Sequence, residues 1–226
     1  YQHGADDFHG SGGELRVEER RVNWEILDVW RDAAEQCGIP KIDEFNRGDN
    51  FGNAYFQMNQ KSGKRWSAVR AFLDPIRSRE NLTILTETRV DRLALDSTDA
   101  GVSASGVIVE KKGKKRSIRA NSEVILSAGA IASPQLLQVS GIGPSQLLSN
   151  FDIKTMVDIQ GVGKNLQDHL QIRTIYEVNN TTTLNEKAGS LWGKAMMGME
   201  YFIFKTGPLT MPPSQLGAFA KSDSSQ

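Results

Sequence analysis

The chain has 226 residues, 27 Lys plus Arg against 27 Asp plus Glu, and 38% hydrophobic residues. These totals describe a protein able to bury a core, and their zero net charge excludes a general attraction to nucleic acid or to an anionic membrane. Cys37, the single cysteine, rules out an internal disulfide, argues against a Cys-based metal site and favours a reducing compartment.

No apolar run approaches the ~20 residues of a membrane span, and no signal-peptide pattern follows Tyr1. Residues 1–13 read as a Gly-, Asp- and His-rich loop, and Glu14–Val17 as a short strand. Val22, Ile26, Val29, Trp30, Ala33 and Cys37 recur at helical spacing, with charged residues between them. They predict an amphipathic helix whose apolar stripe, Trp24 and Trp30 included, belongs to the core. Gly38 and Pro40 end it. A turn-rich stretch over Asn46–Asn53 leads into an expected strand at Ala54–Asn59. Val69, Phe72, Leu73 and Ile76 form a second helical stripe.

Leu82–Thr86 and Val90–Leu95 alternate as strands do, and Gly106–Glu110 should pair with Arg116–Arg119 as a hairpin. The turn between them holds Lys111, Lys112, Gly113, Lys114, Lys115 and Arg116. It reads as solvated, with a nucleic-acid patch as the minor alternative. Val124, Ile125 and Leu126 form an apolar run suited to a strand buried on both faces. Four small residues follow, Ser127, Ala128, Gly129 and Ala130. Ser133 and Pro134 then stand where an N-cap and a first helical position are expected, ahead of Leu136, Leu137 and Val139.

Small residues at such a turn let the backbone come close to another body, and a helix N-terminus presents free N–H groups. That body is either a cofactor or a tightly packed neighbouring strand. Further on, Gly161-Val162-Gly163 and Asn165–His169 make a second compact loop. Gln171–Val178 reads as a strand, Leu191–Phe204 as a helix, and Lys221–Gln226 as a polar, fraying tail.

Several catalytic signatures are absent. There is no G-x-G-x-x-G, no H-E-x-x-H and no G-x-S-x-G. Gly163-Lys164 resembles the end of a phosphate-binding loop, but Asp158 replaces its first glycine and Asn165 its Ser or Thr. With only His3, His9 and His169, a histidine-based metal site is not expected.

The stretch Gly129-Ala130-Ile131-Ala132-Ser133-Pro134-Gln135-Leu136-Leu137-Gln138-Val139-Ser140-Gly141-Ile142-Gly143 resembles a signature of the glucose–methanol–choline (GMC) oxidoreductases. Arg65–Pro75, Asn81–Leu95, Gly161–His169 and Gly207-Pro208-Leu209 resemble further segments of that family in its order and spacing. The resemblance implies an α/β and α+β architecture in two domains. Residues 65–168 would form part of a Rossmann-like FAD-binding domain with a mixed sheet and a hairpin insertion. Residues 1–64, with a lid loop, and 169–226 would belong to an antiparallel-sheet substrate domain backed by helices.

The resemblance also implies FAD-dependent oxidation of an alcohol to an aldehyde. Arg65–Pro75 and Gly207–Ser222 look most like the family's choline and aliphatic-alcohol dehydrogenases. The small-molecule alcohol would then be joined by a quinone or other electron acceptor, with oxygen as the alternative. The location implied is the cytoplasm or the periphery of a membrane.

Carried over by motif, Val90 would meet the adenine, and Ser127, Ala128 and Gly129 would lie beside the adenosine and diphosphate. Ser133 would cap the next helix, and Asn165 and Asp168 would lie in a loop of structural or flavin-contacting role. The family's dinucleotide fingerprint and its catalytic histidine have no counterpart here, so no catalytic residue is nominated and the chain is expected to be an inactive fragment. A degenerate relative, or another FAD oxidoreductase such as an amine oxidase, is the alternative reading.

Overall fold

The computed structural model describes residues 1–99 and 101–223. In chain order its elements are α1 (Glu25–Gln36), β1 (Gly52–Tyr55), β2 (Gln60–Lys61), β3 (Lys64–Arg65), β4 (Arg89–Thr98), β5 (Gly101–Lys111), β6 (Lys114–Arg119), α2 (Gly129–Val139), β7 (Ile142–Gly143), α3 (Ser145–Ser149), β8 (Val157–Asp158), α4 (Leu184–Ala188), α5 (Leu191–Phe204) and β9 (Leu216–Phe219). This is a mixture of helix and sheet, and it clusters into two units, Tyr1–Leu82 with Ile175–Gln226, and Thr83–Thr174.

In the first unit, Glu25 and Asp28 place negative charge in the first turn of α1, where the helix dipole favours it. Beyond its other end, the amides of Gly38 and Ile39 donate to Glu35 and Ala34 at 2.9 and 3.0 Å. Trp24 and Ala34 are buried, but Val29 and Trp30 are about half exposed, so the expected apolar stripe is core along only part of its width. Arg31 ties α1 to β1 by donating to Asn53 Oδ1 at 3.0 Å. β1 pairs antiparallel with β9, from Gly52 opposite Phe219 to Tyr55 opposite Leu216. Phe45 packs on Phe219 with ring centroids 4.9 Å apart.

The stripe from Val69 to Ile76 is helical but tightly broken, a π-turn over Val69–Leu73 followed by a 3-10 turn over Asp74–Ile76. Burial pushes the Tyr55 phenol up to about 12, helped by its hydrogen bond to Asp28. α4 opens on a capping box in which Thr183 and Glu186 satisfy each other's backbone amides. α5 spans the residues its pattern predicts, and Lys205, left-handed at φ 56°, ends it.

The second unit is built on the antiparallel sheet β4-β5-β6. The predicted hairpin forms, with Lys111 opposite Lys114 and Gly106 opposite Arg119. Lys112 and Gly113, at φ 51° and 75°, make its two-residue turn. Asp91 is the extra residue of a bulge in β4, between the pairs formed by Val90 and Arg92. Beyond α2 the chain reverses at Gly141, whose backbone is left-handed at φ 88°. A Cβ there would lie 2.5 Å from the Lys154 carbonyl oxygen, so only glycine fits. β7 and β8 then pair in parallel, and Leu148 of α3 is 1% exposed beneath them.

Four expected strands do not form. Glu14–Val17 is replaced by an isolated bridge between Glu18 and Met58. Leu82–Thr86, Glu123–Leu126 and Gln171–Val178 have no ladder partner among the described residues. A strand needs a hydrogen-bonded neighbour, and an apolar run alone does not supply one. Ile125 is accordingly 78% exposed instead of buried. Of the polar tail, residues 221–223 are irregular and the remainder lies outside the described residues. Among the described residues, no helix is long and apolar enough to cross a membrane.

Candidate cofactor site

The predicted site residues all fall in the second unit, and four of them meet at one end of α2. The helix begins at Gly129, not at Ser133 or Pro134 as the cap pattern suggested. Ser133 is inside the first turn and a half. Its hydroxyl nevertheless reaches back to accept the Ala128 amide at 3.1 Å, so it still tends the helix start. Pro134 sits within the helix, where its missing N–H costs one hydrogen bond to the turn before.

The first-turn amides of α2 have no intrahelical partner, and no side chain caps them. They give the exposed end of the helix a partial positive charge of about half a unit. Gly129 is left-handed at φ 91°, and a Cβ built on it would meet nothing within 4 Å. Ser127, Ala128 and Gly129 are exposed beside the uncapped first-turn amides. Such an arrangement suits an anionic or polar group, such as the diphosphate or adenosine of a dinucleotide.

Val90 lies on β4 opposite Val109, about 40% exposed. β4 and α2 are joined where the Leu93 amide donates to Ser140 Oγ at 2.8 Å. The 161–163 turn docks on the same helix through Gln138, whose Nε2 donates to the Val162 carbonyl at 3.2 Å. Asn165 is left-handed at φ 61°, and Asp168 accepts the amide of His169 at 2.8 Å. No hydrogen bond joins Asn165 or Asp168 to the start of α2 among the described residues, so the two halves of the expected site are not tied together.

Two features escaped the sequence. Asp158 lies at the start of α3, accepting from the Ser145 amide at 3.0 Å, from its hydroxyl at 3.1 Å and from Gln160 at 2.7 Å. The Ser145 amide, chiefly, holds its carboxyl below the usual range. In the first unit, His9 stands between Asp6 at 3.0 Å and Glu44 at 3.7 Å, with Tyr1 stacked on its ring. Ligand-type atoms of Asp6, His9 and Glu44 gather within 4.8 Å, although the histidine count had argued against such a cluster. Arg47 pairs with both carboxylates and already serves as their cation. Their sequence separation left no spacing signal to find. His3 pairs with Glu19 at 3.0 Å, and His169 is exposed.

Residues 2–171 match the family described as GMC oxidoreductase. The chain belongs to that family. It is 36% identical over 222 residues to the oxygen-dependent choline dehydrogenase of Pectobacterium atrosepticum, covering 97% of this chain and 39% of that protein. It is also 36% identical over 219 residues to human mitochondrial choline dehydrogenase, covering 97% and 36%. Among solved structures, an FAD-dependent oxidoreductase from Chaetomium thermophilum superposes with a TM-score of 0.82 at 25% identity, over 94% of this chain and 37% of that one. The chain thus spans well under half the length of these relatives. FAD is the cofactor of the family.

Proposed function

We propose that this chain is the central portion of an FAD-dependent alcohol oxidoreductase acting on choline or another aliphatic primary alcohol. The observation that carries the cofactor side is the open, glycine-initiated start of α2, with its uncapped amides. We assign Ser127, Ala128, Gly129 and Ser133 to the adenosine–diphosphate side, Val90 to the adenine, and Asn165 and Asp168 to the loop beside it. The FAD-binding portion is residues 65–168, and 1–64 and 169–226 belong to the substrate side. That residues 1–82 and 175–226 cluster as one unit supports a substrate side contributed from both flanks.

When bound, FAD supplies a two-electron acceptor. The substrate loses a hydride from its alcohol carbon and its hydroxyl proton to a base, giving the aldehyde. We assign none of the three histidines as that base: His3 pairs with Glu19, His9 is held between Asp6 and Glu44, and His169 is exposed in a loop. A quinone or other carrier then takes up the electrons, with oxygen as the alternative, in the cytoplasm or at a membrane surface.

The substrate assignment rests on the 35–36% identity to choline dehydrogenases. Steady-state rates on a panel of choline, aliphatic alcohols and glucose test it, using the full-length enzyme. Choline or an aliphatic alcohol should be preferred, and a preference for the sugar would overturn the assignment.

A further inference from the structure

The zero net charge of the chain conceals an uneven distribution. Between Lys111 and Arg119 lie six cations and no carboxylate. One pair below the turn, where Glu110 lies opposite Lys115, two of the contacts are balanced. Arg89 pairs with Glu110 at 2.8 Å and Lys115 with Asp91 at 2.8 Å. The other cations of the hairpin have no such partner. Lys112, Lys114, Arg116 and Arg119 form no ion pair among the described residues, and all are exposed. Lys111 reaches only the Thr86 carbonyl, at 3.1 Å.

Cations along an exposed edge strand discourage it from pairing with other sheets, and β6 is such an edge. That role accounts for a lysine or two on β6. It does not account for Lys111 and Lys112, which lie on β5 and on the turn, away from the free edge.

We propose that the β5–β6 hairpin tip docks on an anionic phospholipid surface. Lys111, Lys112, Lys114 and Arg116 all lie within three positions of the two-residue turn and are exposed, so they can meet a flat surface together. Clusters of four or more such residues are what anionic headgroups attract, at about a fivefold gain in partition per cation. The rival polyanions fit less well. Single-stranded nucleic acid is held by aromatic stacking beside its phosphate contacts, and residues 101–119 contain no aromatic side chain. A protein interface needs a desolvated apolar anchor, and residues 110–117 contain none. A lipid headgroup layer requires neither. This docking is independent of the flavin reading, because its assay reads partition and not turnover.

The test is flotation of the intact gene product with vesicles of phosphatidylcholine alone, or with about 30% phosphatidylserine, at low and at ~0.5 M salt. Partition onto the serine-containing vesicles at low salt, lost at high salt, is expected. Replacing Lys112→Gln, Lys114→Gln and Arg116→Gln together should lower it on the order of 100-fold. Because the tip is exposed, folding and flavin content should be unchanged, as circular dichroism and absorbance will check. Equal partition onto phosphatidylcholine, unchanged partition of the variant, or tighter capture by an RNA oligonucleotide or polyglutamate would overturn the proposal.

Discussion

The hydroxyl of Ser140 accepts the Leu93 amide at 2.8 Å and donates to the Leu136 carbonyl at 2.5 Å, so one side chain fastens the end of α2 to the sheet. Ser140 is buried. Ser140→Ala should strand the Leu93 amide and destabilise the second unit by about 1–3 kcal/mol. Urea unfolding monitored by circular dichroism measures this. An unchanged midpoint would mean that the amide finds another acceptor.

Gly129 allows strain and cofactor contact to be separated. Its φ of 91° makes any side chain costly, and Gly129→Ala should cost about 1–2 kcal/mol for that reason alone. The space before it is open, so the protein itself should tolerate Gly129→Leu about as well as alanine. In the full-length enzyme, FAD retention should fall further for leucine than for alanine. Equal flavin content in the two variants would place the cofactor elsewhere.

Asp158 makes the second unit acid-sensitive. Its carboxyl is held below the ordinary aspartate range, chiefly by the Ser145 amide. A lowered folded-state value means that its contribution is complete above the unfolded value of about 4 and is lost as pH falls through the folded one. The melting temperature of Asp158→Asn should therefore lie below that of the native chain by a constant interval above about pH 5. That interval should close as the pH drops toward 3. A gap independent of pH would show that the carboxylate charge is not what holds α3.

Residues 1–226 expressed alone should be flavin-free, inactive and prone to aggregate. Leu170 is 93% exposed, Ile172 83% and Leu191 86%, more apolar surface than a stable monomer usually shows. None of His3, His9 and His169 is assigned as the base, a contribution usually worth about 10²–10⁴-fold in rate. Flavin absorbance and alcohol-dependent dye reduction with added FAD decide this. A yellow, active preparation would show that these residues suffice.

Much of the fold was legible because its signals are local. The helical spacing of apolar residues from Val22 to Cys37 and the Lys112-Gly113 turn each need only neighbouring residues to be satisfied. The failures share the opposite property. Val124–Leu126 carries the composition of a buried strand, but burial depends on partners that composition cannot name. Ser133 was read as a cap because it precedes a proline, whereas the left-handed Gly129 begins the helix four residues earlier. β9 pairs with β1 across more than 150 residues, so no sequence spacing could announce it. The same holds for the meeting of His9 with Glu44. At the candidate site, the small-residue turn was visible in the sequence, and the left-handed backbone of Gly129 was not.

Anaerobic titration of the intact, flavin-loaded gene product with choline tests the central claim most directly. The flavin absorbance near 450 nm should bleach as substrate is added, with one betaine aldehyde formed per flavin reduced. A gene product that folds yet binds no FAD, or whose bound flavin no alcohol bleaches, would contradict the account.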